Sequence, residues 1–363
     1  MSADLAATLM LRFAERTGVS KSTAPARRYL WTDAFAVCNF IGLERIDLAL
    51  ALVDRVHHTL GRYRDDDRRV GWISGLDVET GEAHPTIGGL RIGKPLPERA
   101  ADDPIDERVE WDRDGQYFHY LTKWLNALDQ VTRATHEPIF NTWARELAET
   151  AFRAFVHGSP PRMLWKLSID LTRPLVASMG QHDPLDGFIT CQELVATGAS
   201  VGAAGPDLGE ATASFASMID RRRLATADPL GIGGLLVDVY RLAQLRTRDR
   251  ALIDVLATAA RSGLEQYAAD ADLRASATHR LAFRELGLAI GLAAVSKLSD
   301  LATRTGLDPY LRLREEIEGF WIRPAHRETR AWLDHEDIND VMLATSLAPD
   351  GLLRRNSHRV TGE

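Results

Sequence analysis

Cysteine is nearly missing from this chain. Two residues in 363, Cys38 and Cys191, give neither a disulfide framework nor a thiolate metal cluster, and they fit a reducing, cytoplasmic setting. Long apolar runs are missing as well. No stretch approaches the roughly 18 residues needed to cross a bilayer. The opening MSADLAATLMLRFAERTG has no basic segment before its apolar patch and no small-residue cleavage site after it, so no membrane partner is expected. A basic surplus is also lacking: 44 Lys and Arg are interspersed with 51 Asp and Glu, for a net charge of -7. That balance leaves no footprint for nucleic acid.

Several motifs are absent too. There is no H-E-x-x-H, no EF-hand loop and no close Cys/His group, so neither a metal nor a cofactor is expected. Without a G-x-S-x-G elbow or a strand-turn-helix glycine fingerprint, an α/β serine hydrolase and a nicotinamide enzyme are both disfavoured. GGLRIGKP, from Gly88 to Pro95, has P-loop spacing, but Pro95 stands where Ser or Thr would hold magnesium.

What is present is helical spacing. Leu5, Leu9 and Phe13 recur at four-residue intervals before a stop at Gly18. Tyr29, Asp33, Ala36, Val37 and Phe40 share one side of a helix over Arg27 to Leu43, and Leu48, Leu52, Val56 and Leu60 stripe the next. The pair reads as an αα-hairpin. Further helices are expected over 115–132, 139–156, 163–176, 185–197, 210–225, 234–245, 249–269, 276–298 and 336–347, with shorter pieces between 300 and 332. About a dozen helices with short joins and no βα alternation predict an all-α fold.

One long interruption breaks the pattern. Residues 64–111 hold six glycines and four prolines with short alternating pieces near Val70 to Ile73, so they read as an insertion of small strands and turns. Trp72, His84 and Ile87 favour a lid over a linker. The domain expectation is a single unit over 1–363, with 64–111 lid-like and 350–363 a flexible tail.

The stretches WDRDGQYFHYLTKWLNAL, WKLSIDLTRPL and QHDPLDGF resemble the six-hairpin glycosidase superfamily, with unsaturated glucuronyl hydrolases and N-acylglucosamine 2-epimerases as its neighbours. The resemblance spans nearly the whole chain. It implies an (α/α)6 toroid of about six helical hairpins, whose inner helices line a central pit and whose helix ends bind a sugar.

Within that frame, polar and aromatic residues at helix starts are the candidates. Gln116, His119 and Lys123 recur at helical spacing beside Tyr117, Tyr120 and Trp124, offering donors next to a ring platform, which is what sugar recognition needs. Asp33 lies near Trp31 on a mostly apolar helix side, where a carboxylate needs a partner. Trp165, Lys166, Asp170 and Arg173 stand at spacings that equally suit a structural ion network. Asp183, Pro184 and Asp186 read as a helix start that needs no catalytic explanation. His182 just before it is left over as a proton carrier. Arg284, Glu285 and Asp340 sit at the entrances of apolar helices.

The leading expectation is hydrolysis of a glycosidic bond in a small saccharide or uronic-acid-containing sugar. Asp33 and Asp170 would be the paired carboxylates. His119 and His182 would assist them, and Trp31, Gln116, Tyr120, Trp165, Lys166, Arg284, Glu285 and Asp340 would bind substrate. Two alternatives stand beside it: epimerisation by a histidine pair, drawing also on His279 and His335, and carbohydrate binding without turnover. Oligomeric state is not readable from the sequence.

Overall fold

The computed structural model describes residues 2–20, 27–245 and 249–354. It is 63% helix with minimal sheet, so the protein is all-α. Two compact units divide it: Arg12–Ile219, and Asp220–Glu363 together with Met1–Leu11. Residues 355–363, most of the expected tail, lie outside the described residues. Among the described residues no single helix is long and apolar enough to cross a membrane.

Helix α1 (Ser2–Arg16) opens the chain. In the unit Arg12–Ile219, α2 (Leu30–Gly42) is buried from Leu30 through Ile41, Thr32, Asp33 and Asn39 included, and a mostly apolar helix buried on all sides belongs at the centre of a bundle. Its partner α3 (Ile46–Leu60) buries only one stripe, Leu48, Leu52, Val53, Val56 and Leu60 among it. The hairpin turns at Glu44 in the left-handed region, φ 58°.

The next two elements belong to the interruption: α4 (Val78–Ala83) and the single turn α5 (Glu107–Glu110). Strand β1 (Gln116–Tyr117) leads directly into α6 (Phe118–Thr135), and His136 at φ 61° turns the chain into α7 (Pro138–Phe155). The proline there occupies a first-turn position, where its missing N–H goes unneeded.

Residues 163–176 correct the sequence reading. A helix was expected, but the chain forms β2 (Val156–His157), β3 (Arg162–Met163), β4 (Lys166–Leu167) and β5 (Pro174–Val176). β2 pairs with β3, while β1, β4 and β5 form a small antiparallel sheet in that order. Helix is prevented locally by Leu171 at φ 62° and by Pro174, which carries no N–H to donate. Pairing of Lys166 with Tyr117, from the start of another helical hairpin, supplies the bonds instead. α8 (Asp183–Val201) and α9 (Gly209–Met218) complete the unit. α9 stops short of the expected Ala225.

The interrupting stretch is bonded closely to its own unit. Arg91 donates to Thr59 O, Arg62 O and Asp114. Trp143 Nε1 donates to Ala83 O, Thr86 to Trp143 O, and Thr150 to Ile87 O. It lies strapped over the C-terminal end of α3 and along α7.

The second unit contains α10 (Pro229–Gln244), α11 (Arg250–Asp270), α12 (Ala282–Ser296), α13 (Ser299–Thr305) and α14 (Arg312–Trp321). The short turns α15 (Pro324–Arg327) and α16 (Arg330–Leu333) lead to α17 (Glu336–Leu347). Helices α10 and α12 touch backbone to backbone. A Cβ on Gly233 would lie 2.1 Å from Gly287 O, and one on Gly291 would lie 2.5 Å from Gly233 O, so only glycine permits this crossing.

A candidate functional site at the starts of α2, α6 and α8

The sheet formed by β1, β4 and β5 fixes one wall. Pairing of Tyr117 with Lys166 carries Trp165 beside the first turn of α6. There Trp165 stacks on His119, with ring centroids 5.8 Å apart and planes 16° apart. Its indole Nε1–H donates to His119 Nδ1 at 3.2 Å. Rings continue on both sides: Trp111 lies 5.2 Å from Trp165, Tyr117 5.2 Å from Trp165 and from Tyr120, and Tyr29 5.5 Å from Tyr120. The hydroxyls of Tyr29 and Tyr120 share a 2.6 Å hydrogen bond.

Burial removes His119 from its ordinary titration range. Desolvation first, and the nearby Lys123 ammonium second, push its pKa down to about 3. Because Nδ1 accepts from Trp165, the neutral ring carries its proton on Nε2, where it serves as a hydrogen-bond donor. Burial likewise raises both hydroxyls of the Tyr29–Tyr120 pair, Tyr29 to about 12, so both stay protonated.

α8 packs on α6 and brings a carboxylate close enough to act electrostatically on His119. Asp186 accepts from Thr122 Oγ1 and from Lys123 Nζ, each at 2.6 Å. Asp183, one turn earlier and buried, accepts from Gly180 N at 3.1 Å. Desolvation, then the charge of Asp186, push its carboxyl up to about 7, against the lowering effects of Gly180 N–H and Lys123. Two buried carboxylates one turn apart therefore have unlike partners: Asp183 is pushed up to about 7, while Asp186 is ion-paired to Lys123.

This pair was passed over in the sequence because a helix start explains both residues. Spacing shows which carboxylates share a face; it does not show that Thr122 and Lys123 of α6 bond to one of them and not the other. The only advance sign was His182 beside them. It is half-buried at the N-cap of α8.

The other sequence candidates fall into distinct places. Tyr120 and Trp165 join His119 in the wall. Trp31 is buried against Phe35, with centroids 4.6 Å apart. Gln116 is fully buried and spent on backbone: its Nε2 donates to Gly88 O and Ile169 O, and its Oε1 accepts from Leu90 N.

Lys166 is fully buried and donates to Glu110 O, Glu110 Oε1 and Arg113 O at 2.7, 3.0 and 2.8 Å. Asp33 accepts from Tyr29 N at 3.0 Å and pairs with Arg28, reaching back to the start of its own helix. Asp170 is held by Ser168, Thr172 and Arg69. It is not the helical partner of Lys166 that the spacing suggested.

Arg284, Glu285 and Asp340 belong to the second unit. Arg284 pairs with Asp228, the N-cap of α10. Glu285 is gripped by Arg280 through both oxygens and also accepts from Trp321 Nε1 at 2.7 Å. Asp340 is buried in α17. That unit also has an open cleft of about 770 Å³ walled in part by Arg274, Arg280, Glu315 and Phe320. None of the sequence candidates lines it.

No family model, curated protein or solved structure matches this chain.

Proposed function

We propose that the site on α2, α6 and α8 binds a small saccharide and hydrolyses its glycosidic bond. One arrangement carries the reading: the buried Asp183 carboxyl, pushed up to about 7 by burial and by Asp186, lies one turn from Asp186, which is ion-paired to Lys123 and acts electrostatically on His119. A carboxyl that keeps its proton near neutrality protonates the leaving oxygen as the glycosidic bond breaks, a charged one nearby stabilises the positive sugar that develops, and water adds to the anomeric carbon, its proton restoring the acid. Asp183 is the proton donor and Asp186 the charged partner. His119 Nε2–H and the two tyrosine hydroxyls hold sugar hydroxyls, while Trp165 packs against an apolar sugar face.

His119, lowered to about 3 and committed to Trp165, is unsuited to carry protons at cellular pH, which weighs against epimerisation by a histidine pair. Binding without turnover has one feature in its favour: Lys123 already occupies a carboxylate oxygen of Asp186. For the fold, we propose the six-hairpin toroid. The pairs α2–α3, α6–α7, α8–α9 and α10–α11 are sequential hairpins with a more buried and a less buried member, which supports that arrangement.

The test is a panel of aryl glycosides and glycuronides assayed with the full-length protein and with Asp183→Asn. Turnover of at least one substrate, lowered about 10²- to 10⁴-fold by the substitution, is the expected result for loss of a general acid. Binding of a saccharide with no turnover of any substrate supports the non-catalytic reading instead.

A further inference from the structure

Trp111 stands at the outer end of the ring row and is 55% exposed, an arrangement that folding alone does not call for. A large exposed indole gains little from burial, yet the backbone around it is held firmly. The fully buried Lys166 ammonium binds Glu110 O on one side of Trp111 and Arg113 O on the other, and also the Glu110 carboxylate. Arg99 adds a second cation at Glu110, 3.3 Å away.

Leu96 N donates to Asp112 O, and Asp114 N donates back to Leu96 O. The segment 110–114 is thus clamped from two directions while its largest side chain faces solvent. Trp111 meets Trp165 at a steep angle, with planes 78° apart, so the two rings do not stack face to face.

A ring held rigid and exposed, in line with a half-buried row, has the form of an outer stacking platform. Preorganisation removes the ordering cost that a mobile tryptophan would impose on binding. We propose that Trp111 forms an outer saccharide subsite, so that the ligand is an oligosaccharide extending at least one sugar unit beyond the unit held at His119 and Trp165. Lys166 is the positioning residue for this subsite, since it touches the loop and not the ligand. The inference rests on the carbohydrate reading of the site and adds chain length as the property selected.

Isothermal titration of the full-length protein with β-1,4-gluco-, α-1,4-gluco- and α-1,4-galacturono-oligosaccharides of one to six units tests it. For the series that binds, affinity rises with length. Trp111→Ala then removes about tenfold from the longer members, about 1.4 kcal/mol, and leaves the monosaccharide within twofold. Trp111→Phe restores most of the loss.

If saccharides bind or are turned over but Trp111→Ala leaves affinity the same at every length, the outer subsite is overturned and the carbohydrate reading stands. If no saccharide in any series binds the wild-type protein, both fall.

Discussion

Trp165 and His119 lie nearly parallel, 16° apart, with the indole N–H directed at Nδ1 across 3.2 Å. The proton of the neutral imidazole is thereby assigned to Nε2. Nitrogen-15 NMR is expected to find the Nε2–H tautomer, with no His119 titration between pH 5 and 8. A midpoint near the ordinary 6.5 would show that the ring is solvated and free of the indole.

His57 makes the same kind of contact, accepting from Trp124 Nε1 at 3.2 Å on Nε2, and burial pushes it down to about 3. The unfolded chain takes up this proton below about 6.5 and the folded chain does not until about 3. Its stabilising contribution is therefore full above pH 6.5 and is lost as pH falls toward 3, at up to ~1.4 kcal/mol per pH unit. Urea denaturation between pH 7 and 4 should show this slope, and His57→Gln should flatten it.

Asp183 has the opposite sign. Its folded value, about 7, lies above the ordinary carboxylate value of 3.8. The folded state holds a proton that the unfolded state has released, so the contribution is full below about pH 4 and lost as pH rises through 7. Asp183→Asn is expected to be more stable than wild type at pH 8, and the gap should close below pH 4. Equal stability at pH 8 would mean that the carboxyl ionises at little cost.

Lys166→Met leaves the buried Glu110 carboxylate without its 3.0 Å partner. Breaking a buried pair from one side costs roughly 3 to 5 kcal/mol when the charge left behind is uncompensated, and the remaining Arg99 contact at 3.3 Å makes that an upper figure here. Denaturation should register a loss of up to that size, and hydrogen exchange should speed most at residues 110–114. Unchanged exchange there would refute the clamp.

The helices were legible because a 3.6-residue apolar period is a local property. α3, α10 and α11 follow it closely, whereas α2 and α12 are buried almost all round and were legible from their apolar content. The sheet at 163–176 was not legible: its strands are two or three residues long, and Lys166, Asp170 and Arg173 have spacing that suits a helix equally well. Only pairing with Gln116 and Tyr117, some fifty residues earlier, decides between them.

The site was half legible for the same reason. His119, Tyr120 and Trp165 stood out as polar aromatics at element starts, and they meet. Asp33 drew notice as a carboxylate on an apolar helix, but its bonds go back to Tyr29 N and Arg28. Asp183 was hidden by a sufficient local explanation, because what distinguishes it is desolvation together with the charge of Asp186, while Lys123 bonds to Asp186 instead.

The central claim is that Asp183 donates a proton in glycosidic cleavage, and the pH dependence of kcat/KM for a cleaved aryl glycoside tests it most directly. The account predicts a rate that falls as pH rises through about 7 in the wild type, with that limb gone in Asp183→Asn along with most of the activity. For a substrate whose leaving group needs no proton, the loss should be much smaller. A profile flat through pH 7, or the same limb persisting in Asp183→Asn, would contradict it.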